Sequence, residues 1–420
     1  MPKQHIVVHY HELWLKGGNR HFFLGRLVTA LRQSLEGLGV AKLQCPGDRI
    51  LLELDDGAQI EPVIARLERV FGVAYFAVTR SVTRSGAQDA ATHEREMAAI
   101  CAAAWDEISP LQFTTFAARA RRSDKTFPLH SMALEGAVGG FLHDKLTEAG
   151  REIRVDLDSP EVTCQIELMK NAALVYARKI QGVGGMPANT AGRLMCLLSG
   201  GFDSAVAAYK MMRRGAHVSF VHFWGGGADP GESSVHTARE LVRKLVPYEF
   251  TAKLFLVPFE PLQREIVEKA PANFRILLYR RLMLRIAEQL AYRDHALGLV
   301  SGDSLAQVAS QTLHNMAAVG AAARMPLYRP LAGDDKQEII ALARKIGTHD
   351  ISAEPFHDCC PLFLPKSPAT HASPADLDAA EAGLDVKSMV RRGVESAALE
   401  RYQFTAGRVE QVELMRSTTA

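Results

Sequence analysis

Short apolar runs alternate with helix-period stretches along the whole chain, and the character of the runs changes once. In the first half the strand-like runs are short and mixed with polar residues, at 5–9, 50–54, 74–79, 112–121 and 163–168. Apolar residues spaced by three and four predict helices between them, near 19–38, 61–71, 92–107 and 132–149. Small α+β units built this way, with basic residues at strand ends, suit a compact binding module. The stretch 181–192 is rich in Gly, Pro, Asn and Thr and reads as a connection between domains. Beyond it the strand-like runs at 194–198, 218–223, 254–259 and 296–300 are almost continuously apolar. Helical patterns near 204–214, 233–246, 275–291 and 336–346 separate them. Continuous apolar strands separated by helices predict a doubly wound parallel sheet, an α/β fold whose ligand sits at the carboxyl ends of the strands.

Composition narrows the class. The 420 residues, 47% apolar and 23% charged, are ordinary for a globular chain of two to four domains. A formal net charge of +2 leaves no uniformly basic coat, so a polyanion partner must be met by a local patch. No run approaches the roughly 18 apolar residues of a membrane span, and the N-terminus leads into too short an apolar run for a signal peptide. The expected location is the cytoplasm, with no membrane partner. The six cysteines, at 45, 101, 164, 196, 359 and 360, form no C-x-x-C pair and no regular framework, as expected of reduced thiols.

The chemistry is concentrated in Ser199-Gly200-Gly201-Phe202-Asp203-Ser204, between an apolar strand and a helix. Paired glycines allow backbone N–H groups close to an anion, the helix N-terminus adds its dipole, and the serine hydroxyls donate to phosphate oxygens. No lysine follows, so this is not the loop of γ-phosphate-hydrolysing enzymes. Read alone, the same residues also fit a Gly-Gly turn with Asp203 or Ser204 capping a helix. Arg119, Arg121, Arg122 and Lys125 place four positive charges within seven residues, enough to hold phosphates or simply to form a solvated strand face. His5, His9 and His11 share a strand face, but no cysteine or carboxylate partner completes a metal site.

The loop resembles the PP-loop of ATP pyrophosphatases, a class that includes ammonia-using ligases as well as tRNA-thiolating enzymes. Further segments resemble the tRNA 4-thiouridine sulfurtransferase family: 9–20, 116–128, 155–162, Ser301-Gly302-Asp303-Ser304 with the residues to Leu313, and Asp358-Cys359-Cys360 with 365–370. The resemblance runs with gaps from about residue 5 to 371. It implies an N-terminal ferredoxin-like domain over 1–60, a THUMP RNA-binding domain over 61–168 and a linker over 169–192. A PP-loop domain follows over 193–385, and a helical tail over 386–420. It further implies a short form without the C-terminal rhodanese-like domain of long members, and hence no thiazole-synthesis role.

That family makes 4-thiouridine at position 8 of tRNA. The resemblance places ATP against Leu197, Leu198, Ser199, Gly200, Gly201, Ser204, His222, Phe223, Arg280, Gly302 and Gln311. It implies Mg²⁺, held with help from Asp203, and catalytic roles for Asp203, Cys359 and Cys360. The Arg119, Arg121, Arg122 and Lys125 patch becomes the tRNA grip. Sulfur is expected from a cysteine desulfurase, and the working unit is expected to be a homodimer. A second thiol is needed to release sulfur: the neighbour in the 359–360 pair, Cys196 or Cys164. Departures from the family pattern are Ala205 after the loop, the glycine-rich stretch 224–231, and His11 and Gly18 in the first motif. Two rivals stand beside this reading: a PP-loop ATP-dependent ligase or amidase, and a non-catalytic tRNA-binding protein.

Overall fold

The computed structural model describes residues 4–85, 89–225, 234–354 and 368–412, the side chains of residues 14 and 15 excepted. By packing, the chain divides into two compact units, Met1–Lys16 with Leu35–Gly184 and Gly17–Ser34 with Gly185–Ala420. In chain order the elements begin β1 (His5–His9), α1 (Arg20–Ser34), β2 (Val40–Gln44), β3 (Ile50–Leu54), α2 (Ile60–Leu67) and β4 (Tyr75–Thr83). Next come α3 (Ala90–Ile108), β5 (Thr115–Arg122), α4 (Ser131–Glu148), β6 (Arg154–Val155), β7 (Val162–Leu168), β8 (Ala172–Tyr176) and β9 (Ile180–Gln181).

The first unit is organised by β4. Residues 75–79 of this strand pair antiparallel with β1, and residues 80–83 pair with β8. One nine-stranded sheet results, in the order β2-β3-β1-β4-β8-β7-β5-β6 with β9 also on β4. The expected boundary at 60/61 falls at the start of α2, ahead of β4, the strand that pairs with both halves of the sheet. The expected linker over 169–192 likewise contains β8, whose residues 173–176 are buried. Helices α3 and α4 cover one face; the i, i+4 series Leu134, Val138, Leu142 and Leu146 packs with Phe116, Cys164 and Ile166. A buried ionic cluster adds to this sheet. Glu167 accepts from His9 Nε2 and from the Tyr176 hydroxyl, each at 2.7 Å, and pairs with the 1%-exposed Arg49. Burial pushes the Glu167 carboxyl up, but His9 and Arg49 outweigh it and hold it below the ordinary range.

The second unit continues with β10 (Arg193–Leu197), α5 (Phe202–Arg213), β11 (His217–Trp224), α6 (Ser234–Glu249), β12 (Thr251–Pro258), α7 (Glu260–Lys269) and α8 (Arg275–Arg293). It ends with β13 (Leu299–Val300), α9 (Leu313–Gly320), β14 (Leu327–Tyr328), α10 (Lys336–Ile346), α11 (His349–Ala353), α12 (Pro374–Glu381), α13 (Val386–Glu395), β15 (Ala398–Thr405) and β16 (Arg408–Val412). The sheet order is β14-β13-β10-β11-β12-β15-β16, with parallel pairing from β14 through β12. Strands β10 and β11 are buried on both faces, as parallel strands flanked by helices must be. The chain enters at β10 and runs outward in both directions, so the order reverses between β10 and β13, where a doubly wound sheet opens its ligand crevice.

The expected helical tail over 386–420 is corrected in part. Helix α13 is present, but β15 and β16 then form an antiparallel hairpin on the edge of β12. Ala406 and Gly407 both have positive φ, the geometry of a two-residue turn whose twist matches the strands. Tyr402 and Phe404 alternate inward, and Arg239 of α6 forks onto Glu400 at 2.6 Å.

Candidate active site at the β10–β13 crossing

The loop after β10 is held from within. Ser204 Oγ accepts the N–H of Ser199 at 3.0 Å, lies 3.1 Å from Ser199 Oγ, and donates to the Gly201 carbonyl at 3.1 Å. Gly201 caps α5 without any side-chain hydrogen bond, so the helix's first N–H groups stay available to an anion. Gly302, just past β13, lies directly against this turn: a Cβ there would stand 2.7 Å from Ser204 N and 2.9 Å from the Asp203 carbonyl carbon. The close approach of two backbones closes the crevice floor.

The crevice is a cavity of about 310 Å³, within the usual range for a small-molecule site. Leu197, Leu198, Ser199, Asp203, Ser204, Phe223, Arg280, Gly302 and Gln311 line it. Of the residues expected at the nucleotide, Gly200, Gly201 and His222 are not on its wall. His222 is buried behind the loop, with Nδ1 2.8 Å from the Leu198 carbonyl and Nε2 2.9 Å from Ser234 Oγ. It fixes the loop's entry rather than presenting a surface.

Two carboxylates define the electrostatics. Asp303 is 5% exposed and accepts from Ser301 Oγ at 2.8 Å, Arg329 Nε at 3.3 Å, Gln311 Nε2 at 3.4 Å, and Arg280. Burial pushes its carboxyl up, yet Arg280, Ser301 and Arg329 outweigh that and hold it below the usual range. Asp303 thereby fixes Arg280, whose second nitrogen donates to Ser310 Oγ at 3.0 Å. Asp203 is different. Its carboxylate faces partly outward and meets Lys336 Nζ at 3.2 Å and Gln307 Nε2 at 3.0 Å. Lys336 is the first residue of α10, whose start is fixed by a capping box between Asp335 and Glu338.

Asp303, Arg329, Gln307 and Lys336 were not singled out from sequence. Asp303 and Gln307 sit inside the 301–313 segment, but Arg280, Arg329 and Asp203, which they meet, lie elsewhere in the chain. Lys336 begins a helix whose limits the sequence predicts correctly, though nothing in that pattern places the helix end on Asp203.

Similarity to known proteins agrees with this construction. Residues 189–386 match the family model described as "Thiamine biosynthesis protein (ThiI)", 5–77 the ThiI ferredoxin-like domain and 92–178 the THUMP domain. A "Probable tRNA sulfurtransferase" of Thermus thermophilus is 42% identical over 87% of this chain and 86% of its own length. One from Moorella thermoacetica is 37% identical over 93% and 96%. The chain belongs to the tRNA sulfurtransferase family. The crystal structure of a 4-thiouridine synthetase–RNA complex with bound ATP superimposes with a TM-score of 0.81 at 28% identity, covering 95% of this chain and 99% of that one. The expected α/β architecture, with ferredoxin-like and THUMP domains ahead of a parallel-sheet domain, is thus present.

The basic segment is ordered by a buried arginine. Arg84 is 4% exposed and donates to Glu96 at 2.8 Å and Asp124 at 3.0 Å, with its guanidinium 4.8 Å from the Phe127 ring centre. Asp124 in turn caps Thr126. Lys125 and Arg121 are exposed and Arg119 is half-buried, with Arg119 contacting Leu157 and Arg121 contacting Asp48. Arg122 departs from the expectation of a uniform patch: its guanidinium donates to the Phe127 and Leu129 carbonyls, a loop-shaping role.

Cys359 and Cys360 lie outside the described residues, as does most of the glycine-rich stretch after Trp224. Cys164 and Cys196 are both fully buried, and burial pushes the Cys164 thiol up to about 12 and Cys196 higher still. Neither offers a thiolate. Among the described residues, no helix is long and apolar enough to cross a membrane.

Proposed function

We propose that this protein is an ATP-dependent tRNA sulfurtransferase that converts uridine to 4-thiouridine at position 8 of tRNA. The observation that carries the reading is the cavity at the β10–β13 crossing, with the open N-terminus of α5 on one side and the Asp203–Lys336 pair at its edge. It suits a nucleotide. Apolar side chains such as Leu197 and Phe223 can receive adenine, while Ser199, Ser204 and the free N–H groups of α5 face the phosphates.

The C4 oxygen of uracil is a poor leaving group. Attack of O4 on the α-phosphorus of ATP, with release of the uracil N3 proton to solvent, forms an O4-adenylated base and expels pyrophosphate. The terminal sulfur of a cysteine persulfide then attacks C4, and AMP departs with the former O4. Asp203 and the ATP phosphates would together hold Mg²⁺, which offsets charge on the departing pyrophosphate. Asp303 does not suit that ion, because its oxygens are committed to Arg280, Arg329, Ser301 and Gln311. Lys336 adds positive charge beside the α-phosphate position.

Cys359 or Cys360 carries the sulfur in this reading, and a second thiol breaks the remaining S–S link. The burial of Cys164 and Cys196 argues against both, which leaves the neighbouring cysteine. A cysteine desulfurase supplies sulfur, the enzyme works as a homodimer in the cytoplasm, and the Arg119–Lys125 patch grips tRNA. The test is incubation with unmodified tRNA, Mg-ATP, cysteine and a desulfurase, followed by nucleoside mass spectrometry. 4-Thiouridine is expected, and none from the Cys359→Ala, Cys360→Ala double variant. Absence of thiouridine with active desulfurase overturns the proposal; a fully active double variant favours a ligase.

A further inference from the structure

We propose that Gln307 reads the target uracil, its carboxamide pairing with the base's N3–H and O2 while Leu305 and Val308 flank the ring. The inference rests on the tRNA thiolation reading and assigns a substrate contact within it.

Gln307 stands where the base must arrive. Its Nε2 donates to Asp203 Oδ2 at 3.0 Å, and Asp203 lines the nucleotide cavity while Gln307 and Lys336 lie on its outer side. In this proposal the base comes to the nucleotide past this trio. One amide N–H is taken by Asp203; the other N–H and Oε1, to which no hydrogen bond forms among the described residues, make an adjacent donor and acceptor. Uracil offers the complement, an N3–H donor beside carbonyl acceptors. Pairing through N3–H and O2 leaves O4 free to attack phosphorus. Cytosine has an acceptor at N3 and would set it against Oε1.

The surroundings support a base rather than a phosphate. Leu305 and Val308, on either side of Gln307 in the chain, are 42% and 53% exposed apolar side chains. Enzymes that act on an extruded base hold it between apolar side chains while hydrogen bonds read its edge. The segment is also pre-set. Ala306 has φ +61°, a left-handed conformation that costs about 1 kcal/mol in a non-glycine residue. Its N–H donates to the Gln311 carbonyl at 2.9 Å, and the Gln311 N–H donates to the Val308 carbonyl at 2.8 Å. Gln311 is itself on the cavity wall, so Gln307 is tied to the nucleotide site through backbone.

The experiment is a cycle of two changes. tRNA transcripts carry uridine or 3-deazauridine at the target position; the latter replaces N3–H by C–H without added bulk. Each is assayed for tRNA-dependent pyrophosphate release with the full-length enzyme and with Gln307→Met and Gln307→Glu, at saturating ATP and tRNA. The deaza substitution is expected to slow the unaltered enzyme about tenfold more than it slows Gln307→Met, the worth of a good base-edge pair. Equal slowing of both, within twofold, overturns the inference, because a Gln307 that only orients Asp203 would not sense N3. Loss of activity with uridine in the variants, alongside that equal slowing, assigns Gln307 to orientation alone. If the unaltered enzyme releases no pyrophosphate with the uridine transcript, the thiolation reading fails and this inference with it.

Discussion

Lys336 Nζ lies 3.2 Å from Asp203 Oδ1 and 4.3 Å from the centre of the Phe202 ring, so one ammonium joins two consecutive residues of the phosphate loop to the start of α10. The lysine side chain is 43% exposed, and a pair this open adds at most about 1 kcal/mol to stability. Its value is positional. Lys336→Met is expected to keep its melting temperature within about 2 °C while thiolation at saturating ATP and tRNA falls on the order of a hundredfold. Calorimetry and a single-turnover thiouridine assay decide it; a melting temperature many degrees lower would make Lys336 a structural tie instead.

Gly302 makes the sharper prediction because the three nearest atoms a methyl group would meet there are all backbone. Ser204 N, Ser204 Cα and Asp203 C all stand within 2.7 to 2.9 Å of the added Cβ, so no rotamer change relieves the clash. The end of β13 or the first turn of α5 must move, and overpacking of this kind costs about 1–3 kcal/mol. Gly302→Ala is expected to fold, to melt lower, and to lose ATP affinity at least tenfold, measured by equilibrium dialysis. Unchanged ATP binding would mean the crevice floor is not part of the nucleotide site.

What the sequence disclosed follows from how far apart the interacting residues lie. The phosphate loop was legible because strand, glycines and helix start are contiguous, and α10 because Asp335, Glu338 and Gly347 mark both ends. The parallel sheet was legible from the unbroken apolar runs of β10 and β11. The short strand β8 was hidden inside apparent linker sequence, since it is a hairpin partner of β7 whose other edge pairs with the distant β4. The β15–β16 hairpin carried its signal in the alternation of Tyr402 and Phe404 and in Ala406-Gly407, but the preceding helix pattern masked it. Asp303 and Lys336 could not be ranked from sequence at all, because their charged partners lie from 23 to 133 positions away.

The basic segment separates into two kinds of arginine and lysine, and tRNA binding should separate them too. Lys125 is exposed and free to meet a phosphate, so Lys125→Ala is expected to weaken tRNA binding uniformly and lower the salt slope of the affinity by about 0.7 to 1. Arg122 donates to the Phe127 and Leu129 carbonyls. Arg122→Ala is expected to lower the melting temperature, since it leaves those acceptors without their donor. Filter binding across a salt series, paired with thermal melts, distinguishes the two; identical salt slopes for Lys125→Ala and the unaltered protein would remove Lys125 from the interface.

Glu249, at the end of α6, gives a pH signature opposite to that of the paired carboxylates. It is 1% exposed, and Oε2 accepts the Val218 N–H at 2.8 Å while Oε1 has no partner among the described residues. Burial raises its carboxyl well above the ordinary range. The nearby His217 does not compensate: burial and then Arg193 push its imidazole down to about 4, and it is neutral against Asn189. A carboxyl whose folded-state pKa is raised contributes stability fully below its unfolded value near 4.5. That contribution is lost as pH rises toward the folded value, because only the unfolded chain then releases the proton. Glu249→Gln keeps the acceptor for Val218 and removes the titration. Its melting temperature is expected to match the unaltered protein near pH 4 and to exceed it by at least about 2 °C at pH 8, the gap widening steadily between. A gap that is constant or reversed with pH would mean that Glu249 is ionised in the folded protein and balanced by Arg193, whose charge lowers its carboxyl.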